Sequence, residues 1–199
     1  MNRKRCAVLT LVAGLFGANP SHAAMLQVDG NGILTGATGV DVSGTLYDVT
    51  FQDGSCNSLF NNCDPARFAF TSLAFAEAAA RALLAQVFIN TDTGKFDDDP
   101  LLTRGCFYPG DYYTITCSAF TPAVVAGSVS GAVAYNQLTV DAVIDYGIAP
   151  SNDTTGLASY TYAVWSRPPG SSVPEPGALS LLGAGLLAAA VAYRRRKQS

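Results

Sequence analysis

The chain is poor in the residues that most often do chemistry. Its 199 residues include a single histidine, His22, inside an N-terminal segment that reads as a removable leader. Loss of that residue leaves no Ser-His-Asp or Cys-His arrangement and no histidine-ligated metal. Between Ala24 and Val173 there is one lysine, Lys95, in a hydrophilic stretch without an apolar pocket around it, so a lysine nucleophile has no support. Positive charge is equally scarce there: Arg67, Arg81, Lys95, Arg104 and Arg167 stand against fourteen acidic residues, a net charge of −9. Such a surface is unsuited to a phosphate backbone, and nucleic acid is excluded as a partner. No phosphate-cradling loop or dinucleotide fingerprint is present; "GNGILTG" has the glycines without the strand-to-helix setting. These absences predict a protein that is not an enzyme and needs no cofactor.

What the chain does have is concentrated at its two ends. "MNRKRCAVLTLVAGLFGANPSHAA" places Arg3, Lys4 and Arg5 before an apolar run from Ala7 to Ala18 and then small residues at Ser21 and Ala23. That order is a secretory signal peptide over 1–23, cleaved after Ala23; the competing reading is an uncleaved anchor, for which ~12 apolar residues are short. At the other end, 177–193 carry no charge over about 17 residues, roughly 25 Å of helix, enough for a transmembrane segment without length to spare. Arg194, Arg195, Arg196 and Lys197 follow at once, which keeps the C-terminus cytoplasmic and everything before Pro174 outside. Two prolines around a carboxylate hold Pro174-Glu175-Pro176 extended and outside the helix, accessible to a processing enzyme.

Val173-Pro174-Glu175-Pro176, the apolar helix and the Arg194 to Lys197 cluster together resemble the PEP-CTERM sorting signal of exopolysaccharide-producing Gram-negative bacteria. The resemblance covers only the stretch from Val173 to Ser199. It implies passage through the export machinery, a single-pass inner-membrane intermediate, and processing by the membrane-embedded cysteine protease exosortase. Delivery to the cell surface or extracellular matrix follows, where exopolysaccharide is an expected partner. "GTLYDVTFQDGSCNSLFNNCD" also resembles a block found in one group of PEP-CTERM proteins of unknown function, and brings no activity with it.

About 150 residues remain between the ends, enough for one domain with its own core, over 24–166, followed by a Pro/Gly/Ser linker at 167–173. Its four cysteines, Cys56, Cys63, Cys106 and Cys117, are an even number in an oxidising compartment. Of the three connectivities, the spacings favour the local pairs Cys56 with Cys63 and Cys106 with Cys117. A four-thiolate zinc site is the alternative, against which both spacing and export argue.

The fold expected is α+β: an antiparallel sheet with one main helix over 71–88. "TSLAFAEAAARALLAQVF" places Leu73, Ala76, Ala80, Leu83, Leu84 and Val87 on one face, with Glu77 and Arg81 as a favourable i,i+4 pair. "DGNG" at Asp29 predicts a hairpin turn, and the phase change between Val40/Val42 and Tyr47/Val49/Phe51 predicts a turn or bulge near Gly44. "QLTVDAVIDYG" alternates cleanly and predicts a half-buried strand with Leu138, Val140, Ala142, Ile144 and Tyr146 on one face, flanked in the sheet by "GSVSGAVAYN" and "LASYTYAVWS".

Three weaker candidates complete the reading. Asp97, Asp98 and Asp99, with Asn90 and Asp92 near them, are oxygen ligands of the kind calcium takes, although the loop departs from the D-x-[DN]-x-[DN]-G pattern and a solvated acidic loop is the preferred explanation. Phe107, Tyr108, Tyr112 and Tyr113 are aromatic residues able to stack on sugar rings or to fill a core. Asp141 and Asp145, ~13 Å apart on a strand, are too distant for a glycosidase pair, so the less favoured alternative of an exported hydrolase has only a long-range pair to draw on, for example one of Asp97, Asp98 and Asp99 with Asp111.

Overall fold

The structure is a computed structural model and describes residues 23–108, 115–145 and 151–168. The elements run β1 (Met25–Val28), β2 (Leu34–Val42), β3 (Thr45–Gln52), α1 (Cys56–Leu59), α2 (Leu73–Gln86), β4 (Asn90–Thr91), β5 (Gly94–Lys95), β6 (Thr116–Val125), β7 (Ser128–Gln137), β8 (Ala142–Asp145) and β9 (Tyr160–Ser166). Seven strands form one sheet in the order β1-β2-β3-β9-β6-β7-β8, and β4 with β5 makes a separate two-stranded hairpin. The expected α+β composition stands, but the sheet is mixed rather than antiparallel. β6 and β9 run parallel, with Ser118 opposite Tyr160 and Phe120 opposite Tyr162. β9 thereby joins two hairpin units, β1-β2-β3 and β6-β7-β8, that have no other strand pairing between them among the described residues.

The hairpins form where their turn residues allow. Ser43 and Gly44, both at positive φ, reverse the chain between β2 and β3, and Ala126 and Gly127 do the same between β6 and β7. At Gly39, φ is +70°, and there the β2–β3 register shifts between Ala37 and Val40, the bulge that re-phases the core-facing side chains.

The helix is shorter than expected, Leu73–Gln86 with Ser72 as its N-cap, because Val87 and Phe88 leave the helix to drop into the core. Ala76, Ala79, Ala80 and Leu83 are buried against a sheet that is itself alanine-rich at this face: Ala119, Ala123, Ala132, Ala134 and Ala163 are all fully buried. Small side chains on both surfaces let helix and sheet approach closely. Larger groups fill the flank, where Tyr47, Phe70 and Trp165 pack ring against ring and Phe51 stacks on Phe88. Trp165 Nε1 donates to Thr121 Oγ1 at 3.0 Å, tying β9 to β6 just beyond their last backbone pair.

The opposite face of the sheet carries a second, smaller core of Phe120, Val133 and Tyr162, covered by Cys56, Phe60, Cys63 and Phe68. Both expected disulfides are present, Cys56–Cys63 and Cys106–Cys117.

Two sequence expectations are corrected. The strand expected over 138–146 begins only at Ala142 and is described to Asp145, Tyr146 lying outside the described residues, because β7 continues to Gln137 and residues 138–141 turn the chain, held by the Asp141 carboxylate accepting from the Gln137 N–H at 2.9 Å. Leu138 and Val140 accordingly lie exposed on that turn. "LASYTYAVWS" supplies β9, which neighbours β3 and β6 and is three strands from β8. Among the described residues no helix is long and apolar enough to cross a membrane; the expected signal peptide and the span over 177–193 fall outside them.

Candidate functional site

Strand direction gives the domain two distinct ends. β9 terminates at Ser166, opposite Asp48 near the start of β3, and its parallel neighbour β6 terminates at Val125. The chain therefore leaves toward the sorting segment from the end of the sheet that holds the Ser43–Gly44 and Ala126–Gly127 turns. Here the Arg167 guanidinium lies 5.8 Å from the centre of the Tyr47 ring. Among the described residues, the other end collects both disulfides, the 90–102 segment and the carboxylates of Asp29, Asp53, Asp97, Asp98, Asp141 and Asp153.

At that far end the segments are fastened by specific side chains. The Thr154 hydroxyl donates to Asp53 Oδ1 at 3.1 Å and receives the Gly54 N–H at 3.1 Å, while the Thr154 N–H donates to the Gly54 carbonyl at 3.0 Å. Burial, with a lesser push from the Asp153 charge, holds the Asp53 carboxyl above the usual carboxylate range against the Thr154 hydrogen bond. Gly105, at φ +90°, fits against this clasp. A Cβ there would lie 2.6 Å from Asp53 Oδ1 and 2.7 Å from Thr161 Oγ1. Thr154 is the third residue of the Asn152-Asp153-Thr154 sequon, and its buried hydroxyl is committed to the fold.

Asn136, fully buried on β7, donates from Nδ2 to the Phe96 carbonyl at 2.7 Å and pins the 90–102 segment over the sheet. Phe96 is itself buried, and its ring occupies the space a side chain at Gly94 would need. Arg104 pairs with Asp29 at 3.7 Å, and the Asp29 carboxylate is held below its usual range mainly by the Ile33 and Asn31 backbone N–H groups.

Of the sequence candidates, Asp97 is half-buried and its carboxyl is raised, first by burial and then by the charges of Asp141 and Asp98. Asp98 is exposed, and its N–H donates to Asn90 Oδ1 at 3.2 Å; Asp99 stands at the N-cap of the short turn that begins at Pro100. Among the described residues no three His, Cys, Asp or Glu side chains are gathered as an ion site. Phe107 and Tyr108 are exposed, whereas Tyr112, Tyr113 and Asp111 lie outside the described residues. So do Val173, Pro174, Glu175 and Pro176 and the basic Arg194, Arg195, Arg196 and Lys197. Sequence reasoning missed the Asp53–Thr154 clasp and the Asn136 anchor. Their partners are 101 and 40 residues away, and no local pattern marks them.

Comparison with known proteins gives one assignment: residues 172–197 match the PEP-CTERM protein-sorting motif. No curated protein and no solved structure matches the chain. The matched segment contains the Pro-Glu-Pro, the apolar run and the basic cluster in order. The chain is thus an exosortase-targeted exported protein, surface-directed through a membrane-anchored intermediate.

Proposed function

We propose, from the PEP-CTERM sorting motif at 172–197, that this exported chain is a non-enzymatic structural or adhesive component of the cell surface or exopolysaccharide matrix. The motif carries the reading. It takes further support from the way the domain is built toward its tail. The short stretch from Pro168 to Pro174 extends at most about 22 Å, so the folded domain is held close to the processing point. The strand feeding that linker, β9, is central in the sheet and bonded on both sides, a firm attachment for a domain tethered by its C-terminus. The non-enzymatic part is supported by the lack of histidine after Ala23 and by the use of the Asp53 carboxyl as a structural clasp.

The test is non-reduced intact mass together with C-terminal peptide mapping of the protein from its native host. A mature chain beginning near Ala24 and ending close to Pro174-Glu175-Pro176 is expected. Persistence of peptides from Tyr193 to Ser199 in the membrane fraction would make the tail an anchor and overturn the sorting account.

A second reading, a calcium- or polysaccharide-binding module, draws on the repulsion that the Asp141 and Asp98 charges add to the burial of Asp97, which a cation would relieve. An unchanged melting temperature in millimolar calcium removes the ion from it, and a rise supports it.

A further inference from the structure

We infer that copies of this chain add to one another edge to edge, β8 of one continuing the sheet beyond β1 of the next. Among the described residues, the outer sides of β1 and β8 pair with no strand. Natural sheets protect such edges with lysine, proline, inward charge or strong bulging. β1 reads Met-Leu-Gln-Val, with no charge and no proline, and β8 reads Ala-Val-Ile-Asp, its one charge, Asp145, at the last residue of the strand and beyond the three residues that would pair. The nearest irregularity in β1 falls at Gln27/Val28, behind the segment that would pair.

Strand directions make the two edges complementary. Six antiparallel steps across seven strands would leave the outer strands parallel. The single parallel pair, β6 with β9, reverses this, so β1 and β8 run in opposite directions. A β8 edge placed beside β1 with both sheets facing the same way therefore forms the antiparallel ladder.

The side chains then select a register. Leu26 shares the helix-bearing face with its neighbour Ala37, and Val143 shares that face with Ala134. Setting Leu26 opposite Val143 puts Met25 opposite Ile144 and Gln27 opposite Ala142. Met25 is 70% exposed and Ile144 39% exposed, two large apolar side chains left at free edges. In this register each covers the other. The contact joins different surfaces of the two copies, and successive copies are related by the sheet's accumulated twist plus a translation. Such an operation does not close on itself and yields an open fibre. The inference is independent of how the tail is processed.

The test uses full-length protein purified in detergent and examined by light scattering over a range of concentrations, with tail-mediated association controlled by the variants. The unaltered chain is expected to give species that grow beyond the dimer. Met25→Lys combined with Ile144→Lys places like charges opposite one another and is expected to abolish that growth, with the melting temperature showing that the fold survives. Met25→Lys with Ile144→Glu is expected to restore it. A zero-length carbodiimide cross-link between positions 25 and 144 of isotopically distinct copies then fixes the register. A wild-type chain that stays monomeric or stops at a dimer, growth that persists in the double-lysine variant, or no rescue by the opposite-charge pair would each overturn the inference.

Discussion

Gly105→Ala measures how tightly the far end of the domain is fastened. The new methyl group would lie 2.6 Å from Asp53 Oδ1, 2.7 Å from Thr161 Oγ1 and 2.8 Å from Thr161 Cβ, at a backbone φ of +90°. The conformation costs about 1–2 kcal/mol for a residue with a Cβ. Overpacking adds roughly 1–3 kcal/mol, since Asp53 is held by Thr154 and Thr161 belongs to central strand β9. A total of about 2–5 kcal/mol corresponds to a melting temperature lower by roughly 6–15 °C at about 3 °C per kcal/mol for a domain of this size. Gly127→Ala is the internal control. It sits at φ +80° in the β6–β7 turn with nothing within 4 Å of its Cβ. It therefore carries the conformational cost alone, about 1–2 kcal/mol. Thermal unfolding of the oxidised protein by circular dichroism, with intact mass verifying both disulfides, separates the two. Adding Asp53→Ala to Gly105→Ala removes part of the clash, and the combined loss is expected to be smaller than the sum of the single losses. If Gly105→Ala costs no more than Gly127→Ala, or if the two changes add, the packing argument around Asp53 fails.

Three further outcomes are expected. Replacing Cys56 and Cys63 together by serine removes a short-loop constraint worth about 2.5 kcal/mol on the chain-entropy estimate and loosens the cover over Phe120 and Tyr162; urea unfolding should show a lower midpoint, and an unchanged midpoint would contradict it. Asp97 has a folded-state pKa raised above its unfolded value, so its protonated form favours folding and stability falls as pH rises through the folded pKa. Asp97→Asn should therefore raise the melting temperature at pH 7 and flatten that part of the stability profile, and a lower melting temperature at pH 7 would reverse the sign. Asn136→Ala frees the 90–102 segment by removing its hydrogen bond to the Phe96 carbonyl; amide hydrogen exchange should rise around Phe96 more than in β2, and uniform protection would show that the bond is dispensable.

Local pattern carries a good part of this protein. The sorting segment is a linear address, read in order by composition and spacing, and it needs no tertiary contact to be recognised. The amphipathic helix and the Asp29 and Gly44 turns are likewise set by neighbours in sequence. So are the short-range disulfides, whose partners are 7 and 11 residues apart. β6 is illegible because burial on both faces removes the alternation that marks a strand, and Pro122 argues against a central position. The proline is tolerated because pairing with β9 ends two residues earlier, at Phe120. The alternation over 138–146 misleads for the opposite reason, since a turn can carry the same period as a strand.

The sorting address of this chain is written in its linear order, because a short linear motif works through its own residues. The placement of β9 between β3 and β6, the clasp between Asp53 and Thr154, and the opposed directions of the two free edges arise in the folded state alone. Each depends on segments that meet only when the sheet closes, and no local propensity encodes that closure.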